Sequence, residues 1–354
     1  GQGCRIGVSH SDSPCFRIKH TPEVRAEGYL CLDTEAYGGI QLASFQDRPL
    51  SIAGRVVCRS EDPLHPDVRL MDCRRPVVLI ANVAPHISAE QSKGERKVSR
   101  MYPILDVGGD ESPNAFRRFI GAQIGVAPED ILDYELSVYN CAPCTTWGAN
   151  ETLVAAPRLD NLTSFYALLC AITDQGNPSG IQVAIAYDHE EIGNRSKCGA
   201  NSNLTEHVLK RIYLGLGYDE ETYMAAMHRS LIFSLDAAHA YHPLYGEHYD
   251  KNSHCVMGRG VCLKEASSQS FATDSVMSGI VEQLCRKENI PLQKYANHSD
   301  IRGGGTIGPV ISALLGANTA DLGVPMLSMH SAVESMALAD EAALSRLMRA
   351  FYQA

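Results

Sequence analysis

IQVAIAYDHEE, residues 181–191, is an apolar run of strand length that ends abruptly in charged residues. Three further runs end in the same way: CRIGVSHSD (4–12), SLIFSLDAAH (230–239) and GVPMLSMHS (323–331). Between these runs lie stretches with helical apolar spacing, such as LTSFYALLCAITDQ (162–175) and SSQSFATDSVMSGIVEQLCRKENI (267–290), the latter predicted as one long helix. Strands that alternate with helices predict an α/β fold, with a mostly parallel sheet covered by helices on both faces.

A second region has a different pattern. Short apolar runs alternate with Gly, Pro and Asp, and one helical stretch interrupts them: YLCLDTEAYGG (29–39), SIAGRVVCR (51–59), PNAFRRFIGAQIGV (113–126) and ILDYELSVYN (131–140). The first strand, CRIGVSH, fits the α/β part better than this region. We therefore expect one α/β domain formed by residues 1–20 and 150–354, interrupted by an inserted β-rich domain at 21–149.

Composition narrows the class of protein. The chain has 354 residues, of which 45% are hydrophobic and 20% charged, so a packed core is expected. Its net charge of -10 argues against a nucleic-acid partner or an anionic membrane surface. No apolar run approaches the roughly 20 residues that span a bilayer, and no secretory pattern opens the chain. We expect a cytoplasmic protein with neither nucleic acid nor membrane as a partner.

The cysteines are scattered. Twelve are present, and the single CxxC pair is Cys141-Ala-Pro-Cys144, with no second pair nearby. A structural zinc at this pair is one interpretation. Reduced cysteines in the core and loops are the interpretation that we favour.

Acidic and imidazole side chains follow the apolar runs. Because ligands of parallel sheets gather at the carboxyl ends of the strands, these side chains are expected to meet at one edge. Carboxylates and imidazoles together suit a pair of divalent metals. The candidates, in chain order, are His10, Asp12, Asp160, Glu190, Glu191, Asp236 and His330.

Each candidate has a chemical role and a simpler alternative. A carboxylate two residues from His10 can hold its second ring N–H, although His-x-Asp also occurs in surface turns. Asp160 can bridge two cations, or simply cap a helix. Adjacent carboxylates repel, so Glu190 and Glu191 favour a cation nearby. One of the two can bind metal while the other takes a proton from water, and a solvated acidic turn is the alternative.

Together the motifs are similar to the aspartyl aminopeptidase family of dinuclear-zinc metallopeptidases (metallopeptidase family eighteen). The matching stretches run from residue 9 to about residue 335. They are SHSDSPCFRIK, EGYLCLDTEAYGG, SIAGRV, APRLDNLTS, AYDHEEIGNRSKCGA, LDAAHAYHP, GGTIGPVIS and DLGVPMLSMHSAVE.

The resemblance implies two divalent metal ions, zinc or otherwise manganese or cobalt, and a role for each residue. His10 and Asp236 would bind one ion, Glu191 and His330 the other, and Asp160 would bridge them. Asp12 would orient His10, and Glu190 would be the general base for a bridging water. His86 would reach a neighbouring subunit's active site and steady the tetrahedral intermediate.

The resemblance also implies a substrate and an assembly. It predicts an aminopeptidase that removes the N-terminal residue of peptides and prefers Asp or Glu there. Arg259 lies near the lysine expected in a basic stretch, and a guanidinium can receive an acidic side chain. Dimers packed into a tetrahedral dodecamer through the inserted domain are the implied assembly. A hydrolase of other amides, such as N-acyl amino acids, and a non-catalytic scaffold or cargo shell are the alternatives.

Overall fold

The computed structural model describes residues 3–87, 97–109, 112–174, 180–301 and 303–354. Its strands are β1 (Arg5–His10), β2 (Cys15–Ala26), β3 (Tyr29–Tyr37), β4 (Pro49–Cys58), β5 (Asp67–Asp72), β6 (Val78–Leu79), β7 (Ile104–Val107), β8 (Ile131–Tyr139), β9 (Thr145–Trp147), β10 (Leu153–Ala156), β11 (Gln182–Tyr187), β12 (Leu231–Leu235), β13 (Ala238–His239), β14 (Val261–Lys264), β15 (Leu292–Tyr295), β16 (Asn318–Gly323), β17 (Pro325–Leu327) and β18 (Glu334–Ala337). Its α-helices are α1 (Ala115–Ile124), α2 (Leu159–Thr173), α3 (Leu204–Gly215), α4 (Glu220–His228), α5 (Ser275–Lys287), α6 (Ile307–Leu315) and α7 (Leu338–Gln353).

The chain forms two compact units. The first contains residues 1–13, 144–329 and 334–354, and the second contains 14–143 and 330–333. The units divide a few residues away from the boundaries expected at 20/21 and 149/150. One reason is that β2 pairs with β3 and β8, which places residues from Cys15 onward in the second unit. Another is that β9 pairs with β10 of the first unit.

The first unit is built on a six-stranded sheet in the order β11-β1-β12-β16-β14-β15. The four strands from β11 to β16 run parallel, as the alternation of strands and helices predicts. β14 runs antiparallel to β16, so the sheet is mixed at this side. Buried residues of α2, α5 and α7 form the core on one face, and those of α3, α4 and α6 form the core on the other.

One helix prediction was wrong in its extent. The stretch 267–290 was expected to be a single long helix, but α5 begins only at Ser275. Asp274 is the N-cap, and its side chain accepts the backbone N–H of Met277 at 2.8 Å. This cap satisfies a donor of the first turn, so the helix starts there and not at the upstream Ser residues.

The first unit contains a second sheet that the sequence patterns did not predict. Its five short strands have the order β13-β17-β18-β10-β9. Its chemical importance lies in β18, because Glu334 at the start of that strand is buried and reaches the candidate site.

The second unit is an antiparallel β-barrel. Its seven strands have the order β5-β4-β6-β7-β3-β2-β8. An additional pairing of β4 with β8 closes the six strands from β4 to β8 into a ring, and β5 pairs with β4. The interior is apolar, with Phe16, Leu32, Ile52 and Leu136 fully buried, and α1 adds Phe116 to this core. Among the described residues of both units, no helix is long and apolar enough to cross a bilayer.

Candidate metal centre

The centre of the candidate site forms where three parallel strands of the first unit end. His10, the last residue of β1, is in register with Tyr187, the last residue of β11. β12, on the other side of β1, ends at Leu235, and Asp236 follows directly. The carboxyl ends of these strands therefore deliver their polar residues to one edge, as expected for a parallel sheet.

His10 is the best-defined member of the site. Its ring is 1% exposed, and Nε2 lies 3.4 Å from Oδ1 of Asp160 and 3.3 Å from Oδ1 of Asp236. On the other side of the ring, Nδ1 lies 3.3 Å from Oδ1 of Asp12 and 3.1 Å from the carbonyl oxygen of the same residue. An Nδ1–H donated to Asp12 leaves the lone pair of Nε2 directed at two carboxylates, where a cation would sit.

Burial and carboxylates have opposite effects on the pKa of His10. Burial alone lowers this pKa, but hydrogen bonds with Asp12, Asp160 and Asp236 raise it well above its ordinary value. The cluster therefore favours a positive charge at its centre, carried either by a proton or by a metal ion.

Asp12 connects His10 to the two glutamates. Its carboxylate accepts the backbone N–H of Glu190 at 3.2 Å and that of Glu191 at 3.1 Å. These two residues begin a 3-10 turn that follows His189, whose φ of 63° is left-handed. One carboxylate thus holds both the imidazole and the turn that presents the glutamates.

The pKa of Glu190 is shifted toward neutrality. Burial, reinforced by the negative charge of Asp236, raises the pKa of Glu190 to about 7, although His10 lowers it. A carboxylate with a pKa near 7 is well suited to accept and return a proton at neutral pH.

Asp160 and Asp236 are held through their main chains by residues that sequence reasoning missed. Glu334 accepts the Asp160 N–H at 2.8 Å, and the Ser13 hydroxyl donates to the Asp160 carbonyl at 2.9 Å. The buried Lys264 ammonium donates to the carbonyls of Asp236 and Ala237 at 3.2 and 3.0 Å. These residues act on backbone groups, so no spacing of ligand types indicates them. The only signal is a charged residue at the end of an apolar run, as Lys264 is in GVCLK.

The donor set fits divalent metal ions. His10, Asp160 and Asp236 offer ligand atoms within 4.8 Å of one another, and so do His10, Glu190 and Glu191. Oxygens of Asp160 and Glu191 also lie within 4.8 Å, so Asp160 is within reach of both groups. One imidazole among several carboxylates is chemistry that zinc, manganese and cobalt accept. We call these five residues the ligand cluster: His10, Asp160, Glu190, Glu191 and Asp236.

Three further predicted site residues are His330, His86 and Arg259. His330 is assigned to the second unit, where its Nδ1 is 3.0 Å from the carbonyl oxygen of Gly39. His86 is exposed in a turn of that unit, and the turn is closed by a hydrogen bond from Ile87 to Ala84. Arg259 is exposed in the first unit, two residues before β14. The roles of all three remain predictions.

The cysteines are mostly free thiols, and Cys141 and Cys144 are among them. The expectation of reduced cysteines was wrong for one pair, because Cys255 and Cys262 form a disulfide with a Cα–Cα distance of 6.3 Å. Both residues are buried, and they lie on either side of the turn that contains Arg259. A separation of seven residues between two cysteines carries no signal that predicts their pairing.

Comparison with known proteins gives consistent matches over almost the whole chain. A family model described as aminopeptidase I zinc metalloprotease (M18) matches residues 1–352. A probable M18 family aminopeptidase 2 of Clostridium novyi is 36% identical over 356 residues, covering 99% of this chain and 82% of the relative. The protein of the same name from Stutzerimonas stutzeri is 37% identical over 357 residues, covering 99% of this chain and 81% of the relative.

Solved structures agree with this match. A chain in a cryo-EM structure of the Ape4 and Nbr1 complex superposes with a TM-score of 0.94 at 30% identity, covering 100% of this chain and 72% of that one. The S. cerevisiae mApe1 dodecamer gives a TM-score of 0.82 at 26% identity, covering 99% and 79%.

Proposed function

The chain belongs to the M18 family of aminopeptidase I zinc metalloproteases, and from this membership we propose that its ligand cluster is a dinuclear centre that hydrolyses the N-terminal peptide bond of peptides. The observation that carries the proposal is the convergence of His10, Asp160 and Asp236 within 4.8 Å, beside Glu190 and Glu191. Burying an imidazole among several carboxylates costs free energy unless a cation offsets the repulsion between the carboxylates. The arrangement therefore favours a bound cation.

Two bound cations would polarise the scissile carbonyl and lower the pKa of the attacking water towards about 7. His10 and Asp236 would bind one cation, and Glu191 and His330 would bind the other. Asp160 would bind both. The assignment of His330 follows from the family resemblance. Asp12 would fix the ring orientation of His10 through Nδ1, as a carboxylate commonly does behind a ligating histidine.

Glu190 would move the proton. As general base its carboxylate takes a proton from the attacking water, and as general acid it returns that proton to the leaving amine. Asp12 supports this role, since it holds the Glu190 backbone N–H at 3.2 Å and thereby sets the turn from which the side chain extends.

A preference for acidic N-terminal residues is the finer part of the proposal. Arg259 is the cation expected from the sequence. It is exposed and lies two residues before β14, whose Cys262 pairs with Gly323 at the end of β16. Lys264 is a second cation, at the end of β14, and it is buried beside Asp236.

Comparing Arg259→Ala with Lys264→Met on aspartyl and leucyl substrates separates the two cations. The residue that binds the acidic side chain is the one whose loss raises KM for the aspartyl substrate alone. Equal changes for both substrates in both variants would place the acidic preference elsewhere.

Assembly into a homo-oligomer is also part of the proposal. It is supported by the similarity to the chain of the S. cerevisiae mApe1 dodecamer. The finer features, dimers packed with tetrahedral symmetry and contacts through the barrel unit, follow from the family resemblance.

The test of the activity compares free and blocked substrates after metal removal. Protein treated with a chelator and then supplied with Zn²⁺, Mn²⁺ or Co²⁺ is assayed with aspartyl, glutamyl and leucyl anilides and with their N-acetylated forms. Metal-dependent cleavage of the free-amine substrates alone is the expected result. Cleavage of the acetylated forms would favour a hydrolase of N-acyl amino acids instead. Protein that holds no metal and gains no activity would favour a scaffold or cargo shell.

A further inference from the structure

A disulfide closes the turn that carries Arg259 in the first unit. Cys255 and Cys262 form its two ends, and both side chains are fully buried. Between them the turn reaches the surface, because Gly258 and Arg259 are exposed. The exposed arginine is therefore carried by a short segment whose two ends are covalently joined.

The two ends of this turn are anchored unequally. Cys262 lies within β14, which pairs with β15 on one side and with β16 on the other. Cys255 lies outside the strands, in an isolated bridge with Ala240, and its carbonyl oxygen accepts the backbone N–H of Tyr241 at 2.7 Å. Residues 240–260, all of which the structure describes, contain one short 3-10 turn and neither a strand nor an α-helix. The disulfide thus ties the end of an irregular loop to the central sheet.

The backbone of the turn has little stiffness of its own. Gly258 and Gly260 have φ angles of 82° and 100°, in a region that glycine enters without steric cost. Hydrogen bonds hold this backbone from two sides. Asp340, buried at the start of α7, accepts the N–H groups of both glycines at 2.6 and 2.7 Å, and the Gln293 side chain accepts that of Val256 at 2.9 Å. Reversible contacts and one covalent bond therefore share the task of fixing the turn.

We propose that this disulfide is a redox-sensitive clamp that positions Arg259 for the acidic N-terminal side chain of a substrate, a role that rests on the proposed function. A dithiol reductant would supply two electrons and two protons. The Sγ–Sγ bond would break, Cys255 and Cys262 would become thiols, and the dithiol would become an internal disulfide. The turn would then be held by its hydrogen bonds with Tyr241, Gln293 and Asp340. Binding of an acidic side chain would have to order the turn as well, which lowers affinity.

The experiment compares the full 354-residue chain in its oxidised and reduced states. Dithiothreitol reduces the chain under nitrogen and is then removed by gel filtration, and metal analysis ensures that both states carry the same metal content. Alkylation followed by mass spectrometry reports whether Cys255 and Cys262 are thiols. In each state we measure KM for aspartyl and leucyl anilides and the hydrogen exchange of residues 256–261.

Three variants separate the clamp from other effects of the reductant. Cys255→Ala/Cys262→Ala lacks the disulfide in both states. Cys198→Ala, at an exposed free cysteine, is the matched control that keeps it. Arg259→Ala keeps the disulfide and lacks the guanidinium that it is proposed to position.

We expect reduction to speed exchange of residues 256–261 by about 10-fold or more. It should raise KM for the aspartyl anilide by about 3- to 10-fold and change KM for the leucyl anilide by less than about 2-fold. Oxidised glutathione should reverse both effects. Cys255→Ala/Cys262→Ala should behave like the reduced chain in both states, Cys198→Ala should respond like the wild type, and reduction should leave KM of Arg259→Ala unchanged.

Four results would overturn the proposal. These are exchange that does not respond to reduction, faster exchange with no change in KM for the aspartyl anilide, an equal change in KM for both anilides, and cysteines that stay thiols in the presence of oxidised glutathione. Failure of the proposed function gives a different pattern. A chain that cleaves neither anilide in either state, while its exchange still responds to reduction, would contradict the activity and leave the clamp on the turn standing.

Discussion

Asp12 serves two parts of the ligand cluster with one carboxylate. It lies 3.3 Å from Nδ1 of His10 and also accepts the backbone N–H groups of Glu190 and Glu191. The side chain therefore fixes the ring on one strand and the turn that follows another. Loss of its charge should loosen both without removing a metal ligand.

For Asp12→Asn we predict a metal affinity that is lower by about 10- to 100-fold, as is typical for partners behind ligating histidines. Competition with a chromogenic chelator measures this affinity, and Asp300→Asn, at an exposed loop position, is the control. Unchanged affinity in Asp12→Asn would show that the carboxylate does not orient the ligand.

Glu190 and Glu191 are adjacent but have different proposed roles. Glu190→Gln should keep the fold and the metal and lower kcat by roughly 100-fold or more, because Gln cannot accept the proton. Glu191→Gln should instead lower metal content. Metal analysis and kcat on an aspartyl anilide, measured on both variants, distinguish the roles. Near-normal turnover in Glu190→Gln would remove Glu190 as the base.

The ligand types were predictable from sequence, but their supports were not. His10, Glu190, Glu191 and Asp236 each follow an apolar run, and parallel pairing of those runs brings them together. Glu334 and Lys264 act on main-chain groups of Asp160 and Asp236, across 174 and 28 residues of sequence. Contacts of that kind depend on which strands become neighbours, and a local pattern does not contain that information.

Among the helices, α7 carries a carboxyl group whose burial is not offset by charge. Burial raises the pKa of Glu341 to about 7, while a hydrogen bond from Ser345 acts in the opposite direction. The folded pKa lies above the ordinary value of 4.5, so the protonated form is favoured in the folded state. The contribution of the protonated Glu341 carboxyl to the free energy of unfolding is fully present below about pH 4.5. It is lost as the pH rises towards about 7.

Glu341→Gln should therefore leave the free energy of unfolding almost unchanged at pH 4 and increase it by about 1–3 kcal/mol at pH 8. Urea denaturation of the variant and the wild-type chain at both pH values measures the difference. Glu288→Gln, at an exposed position just after α5, is the control and should show no such pH dependence. A stabilisation of the same size at both pH values would contradict a buried, titrating Glu341.

Where the strands are parallel and continuous, the structure has the order of strands and helices that the sequence patterns predict. The antiparallel β14 was not predicted, because its run VCLK is only four residues long and its direction is set by pairing with β16. The start of α5 was placed too early, because several Ser and Thr residues precede the residue that caps the helix, Asp274. Tertiary contacts determine the direction of a short strand and which of several candidate residues caps a helix. Sequence periodicity contains no information on those contacts.

For the molecule as a whole, the proposed homo-oligomer gives His86 a role that a single chain cannot supply. His86 lies on an exposed turn of the barrel unit, as a residue that reaches another subunit must. The proposal that it steadies the tetrahedral intermediate in a neighbouring active site therefore links activity to assembly.

If His86 acts in a neighbour's active site, two inactive variants should complement each other. His86→Ala alone should lower kcat by about 100-fold or more, as loss of an oxyanion donor does. When mixed and reassembled with Glu190→Gln, it should recover about a quarter of wild-type activity, because about one site in four then has both groups. Activity that stays at the level of the separate variants would place His86 outside the neighbouring site.

The proposed activity depends on metal binding by the ligand cluster of the first unit. Crystals grown with zinc and measured on both sides of the zinc absorption edge locate the ions without reference to any assay. We expect two anomalous peaks, one within about 2.0–2.2 Å of His10 Nε2 and of oxygens of Asp160 and Asp236, and a second beside Asp160 and Glu191. Strong peaks elsewhere, with none at His10, Asp160 and Asp236, would contradict the assignment of this cluster as the metal centre.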